Sequence, residues 1–510
     1  MADIVIGSGP AGVSVAQALL ARGREVVMLD GGKVLEDAAR ARRDAIAATA
    51  PEDWTDAARD AWQAPQFDTP DGQVRRYGSD FAMEPGVTTL SDPDGFALRA
   101  SRAVGGLSNL WGAAVLPYRT ADLAGWPVTA EALAPHYRAV AGFMPVAGRA
   151  DDLEALLPAF PMEGRRPLPP SPQAEVLLAR LDAARAALAG MGVHAGAGRQ
   201  AVDAECRQCG QCLHGCPWGH IWSAARTVAE LRARTGFTHR PGPPAQGFAE
   251  TAEGVEVTLE DGTRLAGTRL FIAAGVLETA RLLLASHPGG AGRLRLRESG
   301  YFFLPALHRW RAKRRPDAPP FTTLPQAFVE IDDPSVSPHL VHAQLYTWNA
   351  FYPRDLVASY GAKLPGSAPL WRALARRLIV AQVFLHSDHY AAVDVTLAPD
   401  GRLAATVAAD PGTALVANAA TARLGRALGH AGLSTLGFAR RPGAPGSSFH
   451  VGGSVPMASD PAPGQADRLG RPQGLGRVHL VDASVLPSIP ATTITFSVMA
   501  NAHRIGTEAP

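Results

Sequence analysis

The chain has 510 residues, 46% of them apolar and 19% charged, a composition typical of a globular protein with a large core. Its 49 Lys and Arg residues nearly balance 47 Asp and Glu, so the net charge of +2 gives no reason to expect a nucleic-acid partner. No apolar run reaches the roughly 18–20 residues that a membrane span needs, and the N-terminus lacks a secretory signal pattern. We therefore expect a cytoplasmic protein without an integral membrane segment.

The first 30 residues predict a β-α-β unit. Residues 3–6 are typical of a buried strand, residues 13–21 of a helix with one apolar face, and residues 25–30 of a second, parallel strand. A glycine-rich turn joins the first strand to the helix, and its glycines are Gly7, Gly9 and Gly12. Such a turn lets a pyrophosphate approach the backbone amides at the helix N-terminus.

Asp30 ends the second predicted strand, where a carboxylate can bind a ribose hydroxyl. In this context the turn predicts a dinucleotide site, whereas a lone glycine motif could be an ordinary turn that packs a helix. The turn and Asp30 together do not distinguish FAD from NAD.

Further along the chain, the periodicity predicts additional helices and strands. These are a helix over 174–191, a hairpin of 255–259 and 264–272 around Asp261 and Gly262, a strand–glycine–helix unit over 269–284, strands at 327–331, 380–385, 392–397 and 478–481, and a last helix over 496–505.

All four cysteines lie within 11 residues, at Cys206, Cys209, Cys212 and Cys216, and Pro217 follows. This is the spacing of bacterial ferredoxins, so it predicts an iron–sulfur cluster of the 4Fe–4S or 3Fe–4S type. Either all four cysteines hold one cluster, or three hold it with another ligand. Two alternatives remain: a zinc site, which usually has two cysteine pairs set well apart, and buried, redox-inert thiols.

Three more segments complete a recognisable order of motifs: 102–112, 447–457 and 477–487. Together with the N-terminal turn, they resemble the glucose–methanol–choline (GMC) oxidoreductases across most of the chain, although residues 301–440 match only by position. The resemblance implies FAD as the cofactor. It also favours the cluster, because some sugar dehydrogenases similar to this family carry an iron–sulfur centre in the flavin subunit.

The resemblance implies a FAD site assembled from distant segments. Its expected residues are Gly7, Gly9, Gly12, Asp30, Gly105, Gly106, Ser108, Asn109, Ala274, Asp482, Ala483 and Thr495. Gly105 to Asn109 would line the flavin ring, and Asp482 would lie beside it. Some relatives bind flavin covalently through a histidine that precedes a tryptophan; here that position is Leu110, so we expect non-covalent FAD.

His450 is the expected catalytic base, because it stands in the family's His-x-Gly-Gly motif and histidine titrates near neutral pH. Judged outside that motif, it could simply be a packed or solvated histidine. The family usually has a second His or Asn before the last helix, and here the matching residue is Thr493. Its hydroxyl could position the substrate oxygen, or the threonines near it could only cap the helix.

We expect an α/β fold, with a discontinuous FAD/NAD(P)-binding Rossmann-like domain and a second, mixed α+β substrate domain. The predicted segments are 1–115 (FAD-binding part), 116–199 (linker and cap helices), 200–300 (cysteine-rich segment and second FAD-binding part), 301–444 (substrate domain) and 445–510 (C-terminal FAD-binding and catalytic part).

The expected reaction is FAD-dependent oxidation of a hydroxyl group of a sugar or other alcohol to a carbonyl. The expected electron acceptor is a protein or a quinone, which would make the enzyme a dehydrogenase. Two other hypotheses are an electron-transfer protein or reductase that does not use His450 as a base, and a FAD-binding protein without enzymatic activity.

Overall fold

The computed structural model describes residues 1–63, 75–83, 89–91, 96, 98–287, 290–311, 314–317, 321–361 and 363–510. The strands are β1 (Asp3–Ile6), β2 (Val26–Asp30), β3 (Val193–Ala197), β4 (Phe237–Pro241), β5 (Ala245–Glu250), β6 (Val255–Leu259), β7 (Arg264–Gly267), β8 (Leu270–Ile272), β9 (Leu294–Glu298), β10 (Tyr301–His308), β11 (Ala327–Ile331), β12 (Val341–Tyr346), β13 (Leu378–Phe384), β14 (Ala392–Leu397), β15 (Leu403–Ala408), β16 (Leu433–Thr435), β17 (Arg441–Pro442), β18 (Val451–Gly452) and β19 (Val478–Leu480). The helices are α1 (Pro10–Ala21), α2 (Asp37–Ala47), α3 (Asp56–Gln63), α4 (Ala130–Val140), α5 (Pro172–Ala183), α6 (Arg185–Ala189), α7 (Ala224–Leu231), α8 (Val276–Ser286), α9 (Phe351–Leu356), α10 (Ala368–Ala375), α11 (Thr413–His430) and α12 (Thr495–Glu508).

The predicted β-α-β unit is confirmed and lies in a five-stranded parallel sheet of order β19-β8-β1-β2-β4. α1 begins at Pro10 rather than Val13, because proline suits the first helical position and Gly9 supplies the extended N-cap. Since all five strands are parallel, their carboxyl ends meet at one edge. Ligands of such sheets bind at that edge.

Two sequence predictions are corrected. The predicted strand 264–272 is two strands: β7 completes a hairpin with β6, and β8 joins the parallel sheet beside β1. The chain changes sheets at Thr268, whose amide donates to the carbonyl of Ala2. The predicted helix 174–191 is broken at Ala184, so that α5 and α6 are separate helices.

The second large sheet has the order β16-β10-β13-β12-β11-β3, with β17 beside β10, and its pairs are antiparallel. β3 comes from the segment predicted to hold only linker and cap helices, so that description of 116–199 is incomplete. One face of this sheet packs on α5 and α11 through an apolar cluster. Because side chains alternate along strands, its opposite face carries a different set of residues, which include His342 and Gln382.

The last helix packs against the first helix of the chain. α12 is longer than its predicted span 496–505, and it packs on both α1 and α4. Gly506 makes the contact with α1 possible, because a Cβ there would lie 2.9 Å from Val15. Among the described helices, none is both long and apolar enough to cross a bilayer.

The glycine turn gives a test of the local packing. A Cβ on Gly12 would enter the carbonyl oxygen of Gly7, whereas a Cβ on Gly9 would meet no heavy atom within 4 Å. Gly12→Ala should therefore lower the free energy of unfolding by about 1–3 kcal/mol, as overpacking does. Gly9→Ala should change it by less than about 0.5 kcal/mol. Urea unfolding of nucleotide-free protein measures both changes, and equal losses in the two variants would contradict this packing.

Candidate active site

The glycine turn leaves open space where a diphosphate would bind. Gly7 has a φ of +98°, which suits glycine, and a side chain there would collide with the backbone of Ala273 on the neighbouring strand. In front of Gly9 no atom lies within 4 Å of the position of a Cβ. Gly9 is the N-cap of the 12-residue α1 and makes no side-chain capping bond. The N-terminus of α1 is therefore free to bind an anionic group.

Asp30 is held as a carboxylate at the end of β2. Its Oδ1 accepts from the amide of Gly32 at 2.8 Å, and its Oδ2 pairs with Nε2 of His239 at 3.0 Å. Burial acts to raise the pKa of Asp30, but hydrogen bonds from His239 and Ser8 lower it below the usual value. Sequence reasoning missed His239, which reaches Asp30 only because β4 lies beside β2.

The segment 105–109 lies directly over the glycine turn. The amide of Gly105 donates to Oγ of Ser8 at 2.9 Å, and a Cβ on Gly106 would lie 3.6 Å from the Cα of Gly9. Ser108 and Asn109 fold the segment on itself, since Ser108 donates to the carbonyl of Gly105 and the Asn109 amide donates to that of Gly106. The structure thus brings these predicted cofactor residues together with the N-terminal turn.

Asp482 joins the parallel sheet to the C-terminal motifs. Its buried carboxylate accepts from the amide of Gly275, which follows Ala274, from the hydroxyl of Thr279 in α8, and from the amide of Ser484. Burial raises the pKa of Asp482, while these hydrogen bonds act in the opposite direction. Asp482 is thus fully engaged with protein groups.

His450 lies at the edge of the second large sheet. Its ring stacks on Phe384 at a centroid distance of 4.7 Å, and its imidazole makes no hydrogen bond with a described residue. Burial, with a smaller contribution from His342, lowers the pKa of His450 to about 3. The imidazole is consequently neutral near pH 7, which is the form that accepts a proton.

The backbone around His450 is fixed by two contacts. The amide of Gly453 donates to the carbonyl of Ala483 at 2.9 Å, which links the His-x-Gly-Gly motif to the segment after Asp482. The buried Glu298 accepts from the amides of Gly446 and Ser448. Sequence reasoning missed Glu298, because its partners lie about 150 residues away and leave no spacing signal.

Thr493 does not cap the last helix. Its Oγ1 accepts from the amide of Leu116 at 3.0 Å, and α12 has Ile494 as its N-cap without a side-chain capping bond. The capping alternative is therefore wrong for Thr493, because its oxygen accepts from a backbone amide 377 residues away in the sequence. Thr495 is the first residue of α12 and is half-buried.

The cysteine loop is lined with backbone amides that point at sulfur. The amide of His220 donates to Sγ of Cys216 at 3.3 Å, and the amides of Gln208 and Gln211 act to lower the pKa of Cys206 and Cys209. Burial nevertheless raises the pKa of Cys206 to about 12 and raises those of Cys209 and Cys216. The free thiols are therefore protonated near pH 7, and a metal centre would have to displace their protons.

The sulfurs are spaced too widely for a single zinc ion. Zn–S bonds of 2.3 Å place tetrahedral sulfurs about 3.8 Å apart, but among the described residues no three of these sulfurs lie within 4.8 Å of one another.

The glycines of the cysteine loop have positive φ values, of +73° at Gly210 and +110° at Gly215. The rings of Phe321 and Tyr77 fill the space beside them.

Arg76 joins the cysteine loop to the segment that ends at Gly112. Its guanidinium is buried and donates to the carbonyl of Cys212 and, at 3.4 Å, to those of Leu110 and Trp111. No described carboxylate pairs with it; the groups that act on it as potential anions are the phenol of Tyr77 and the sulfurs of Cys212 and Cys216. Desolvation lowers the pKa of Arg76 and makes an unpaired charge costly.

A cavity of about 750 Å³ lies between the segment 105–109 and the cysteine loop, and residues of both line it. Its wall includes Ser108 and Asn109 on one side and Cys216 and Trp218 on the other. Its basic lining residues are Lys33, Arg40, Arg43, Arg76, Arg226 and Arg232. A cavity of this size and positive charge suits a ligand with phosphate groups.

One other cluster has the composition of a metal site. Among the described residues, ligand atoms of His339, His386 and Asp388 lie within 4.8 Å of one another. The two imidazoles stack face to face at 3.7 Å, and Arg297 pairs with Asp388 at 3.1 Å. These contacts already engage the side chains with one another and with a cation, so we assign no ion to them.

Comparison with known proteins agrees with this assembly. The model of the C-terminal domain of the GMC oxidoreductase family matches residues 402–502, which include His450, Asp482 and Thr493. Among solved structures, pyridoxine 4-oxidase from Mesorbium loti matches with a TM-score of 0.59 and 16% sequence identity, over 99% of this chain and 98% of that chain. A search of curated proteins found no match.

At 16% identity the likeness to the solved oxidase shows the fold alone, whereas the family model concerns the segment that carries the expected base. The resemblance predicted from the motifs is therefore confirmed: residues 402–502 match the C-terminal domain of the GMC oxidoreductase family, and the whole chain is similar in fold to pyridoxine 4-oxidase.

Proposed function

We propose that this protein is a FAD-dependent dehydrogenase that oxidises a hydroxyl group of a sugar or other alcohol to a carbonyl. The observation that carries the proposal is the neutral, unpartnered imidazole of His450, fixed through Gly453 and Ala483 to the edge where the dinucleotide turn lies. FAD, when bound, supplies the acceptor for the hydride. Gly7, Gly9, Gly12, Asp30, Gly105, Gly106, Ser108, Asn109, Ala274, Asp482, Ala483 and Thr495 are the residues proposed to hold or support it.

In the proposed reaction, His450 takes the hydroxyl proton while the C–H bond releases its hydride. The carbon thus loses two electrons and the oxygen becomes a carbonyl. Removal of water from around His450 keeps the imidazole neutral before the reaction. Thr493 can still donate its hydroxyl proton to the substrate oxygen, since Leu116 uses only its acceptor side.

We also propose that Cys206, Cys209, Cys212 and Cys216 hold an iron–sulfur cluster. Their spacing, the amides directed at sulfur and the wide separation of the sulfurs support a cluster rather than zinc. The buried cation of Arg76 supports it independently, because thiolates bound to a cluster would provide the missing negative charge. A bound cluster would pass electrons singly to a protein or quinone acceptor.

The electron-transfer or reductase hypothesis remains the rival. It uses the glycine turn and the cysteines but gives no role to the buried Nδ1 of His450, which has no hydrogen-bond partner among the described residues. Non-covalent FAD is expected under both proposals, because Leu110 cannot form the link that a histidine forms. Reduction of the flavin by an alcohol distinguishes them.

His450→Gln should slow flavin reduction by substrate about 10²–10⁴-fold, the usual contribution of a general base. FAD content should stay at the parent level, because the ring makes no structural hydrogen bond to a described residue. Anaerobic stopped-flow spectroscopy measures the rate. His308→Gln is a matched control, since His308 is a buried histidine bonded to the carbonyl of Trp310 on the other face of the sheet. Equal rates in parent and His450→Gln would favour the electron-transfer hypothesis.

The rate of flavin reduction should be nearly independent of pH between about pH 5 and pH 8. The pKa of His450 is lowered to about 3, so the imidazole stays unprotonated throughout this range. An unperturbed histidine, with a pKa of about 6.5, would lose about 30-fold in its basic form over the same interval. A fall of that size on acidification, centred near pH 6.5, would contradict the described environment.

Anaerobically purified protein should contain about three or four irons and matching sulfide per chain. It should give an iron–sulfur paramagnetic resonance signal in one redox state. Cys209→Ser should remove that signal while flavin reduction by substrate persists. Arg76→Met should keep the iron but shift the reduction potential downward, because a buried positive charge near the cluster favours the reduced, more negative state.

Two results would contradict the cluster. Iron near zero after anaerobic expression with ample iron would do so directly. Zinc at about one ion per chain would instead identify a structural site.

A further inference from the structure

The face of the second large sheet that touches His450 carries an ordered chain of polar side chains. Glu330, His342 and Gln344 are buried on β11 and β12, and Gln382 lies opposite Gln344 on β13. Tyr346, at the end of β12, is the partly exposed member. Burying such groups on a packed sheet costs free energy unless each hydrogen bond is made.

The hydrogen bonds in this chain have one possible direction. A carboxylate only accepts, so Nδ1 of His342 donates to Oε1 of Glu330 at 2.6 Å. An amide nitrogen only donates, so Gln344 donates to Nε2 of His342 at 3.2 Å. The Gln344 oxygen then accepts from the hydroxyl of Tyr346 at 3.0 Å.

The single hydroxyl proton of Tyr346 is therefore directed at the two glutamine oxygens, with the shorter contact to Gln344. The Tyr346 oxygen keeps a lone pair that can accept from a ligand. Burial raises the pKa of Tyr346, so the group is a neutral phenol and not a base. The oxygen of Gln382 also accepts from Tyr346, at 3.3 Å, and the Gln382 amide nitrogen has no partner among the described residues.

The position of this pair connects it to the reaction. Phe384, which stacks on His450, is two residues from Gln382 on the same strand and face, a distance of about 6.8 Å. On the other side, the Tyr346 hydroxyl lies 4.0 Å from where a Cβ on Gly112 would be, beside the segment expected to line the flavin. Tyr346 and Gln382 thus lie on the sheet face that contacts His450, next to Gly112.

We propose that Tyr346 and Gln382 bind a second, non-reacting hydroxyl of the substrate, with the Tyr346 oxygen accepting a hydrogen bond from that hydroxyl and the Gln382 amide donating one to its oxygen. The substrate class is then a polyhydroxylated molecule, in which the two hydroxyls are separated by several bonds. The inference rests on the proposed oxidation at His450 and adds its specificity. Glu330, His342 and Gln344 are positioning residues, because they set the direction of the Tyr346 proton without reaching the substrate.

The test compares D-sorbitol and D-glucose with hexan-1-ol, which has the same number of carbons but one hydroxyl. Each is mixed anaerobically with the FAD-containing enzyme, and rate and apparent affinity of flavin reduction are measured separately. The parent should prefer a polyhydroxylated probe. Tyr346→Phe should weaken the apparent affinity for that probe about 3- to 12-fold, the value of one neutral hydrogen bond. The limiting rate of the Tyr346→Phe variant with the polyhydroxylated probe should equal that of the parent. Its rate and apparent affinity with hexan-1-ol should also equal those of the parent.

Gln344→Met keeps the Tyr346 hydroxyl but removes the acceptor that orients it, so it should weaken the same affinity by a smaller factor. His308→Gln, a buried polar change on the opposite face, should behave as the parent. Thermal unfolding of each variant verifies that it is folded.

Equal effects of Tyr346→Phe on hexan-1-ol and on the polyhydroxylated probe would overturn this proposal and leave the oxidation intact. A parent that prefers hexan-1-ol would also overturn it. Bound flavin that none of the probes reduces would instead count against the proposed function itself.

Discussion

The site depends on the buried carboxylate of Asp482. It binds the N-terminal end of α8 through Gly275 and Thr279, and the start of the C-terminal segment through Ser484. The carbonyl of the next residue, Ala483, accepts from Gly453 and so fixes the motif that contains His450. Because hydrogen bonds to an ionised group are worth about 1.5–3 kcal/mol each, this one side chain can hold two distant parts of the chain in register. The dinucleotide edge and the expected base are therefore assembled by the same contact.

A second constraint is that buried charged side chains need hydrogen bonds or charges of opposite sign around them. Asp30 makes a hydrogen bond with His239, and Glu330 accepts one from His342 and interacts electrostatically with the buried Arg199. Arg76 is different, since no described carboxylate pairs with it and its potential anionic neighbours are Tyr77, Cys212 and Cys216. A folded protein rarely keeps a buried cation without an anion. This imbalance is the physical reason for expecting an anionic centre in the cysteine loop.

Local patterns predicted much of this molecule. The β-α-β unit, the strands 327–331 and 392–397 and the position of Asp30 follow from periodicity and glycine spacing, which act over few residues. The sheet change at Thr268 and the addition of β3 to the second sheet depend on long-range pairing, which leaves no local signal.

The same reason explains the site residues that sequence analysis missed. The hydrogen bonds of His239, Glu298 and Glu330 join them to residues of other elements. The spacing of residues along the sequence does not indicate such contacts. A partial signal did exist for the polar face: residues 341–346 alternate apolar and polar side chains, the pattern of a strand with two different faces. Identifying what that face adjoins required the contact between Phe384 and His450.

The most direct test of the account is an anaerobic titration of the purified protein with sugars and simple alcohols, followed in the visible flavin band and by product analysis. The account predicts tightly held, acid-releasable FAD that is bleached with the formation of one carbonyl per flavin, the stoichiometry of a hydride transfer. Protein that binds flavin but is bleached by none of these compounds, or that binds no flavin, would contradict it.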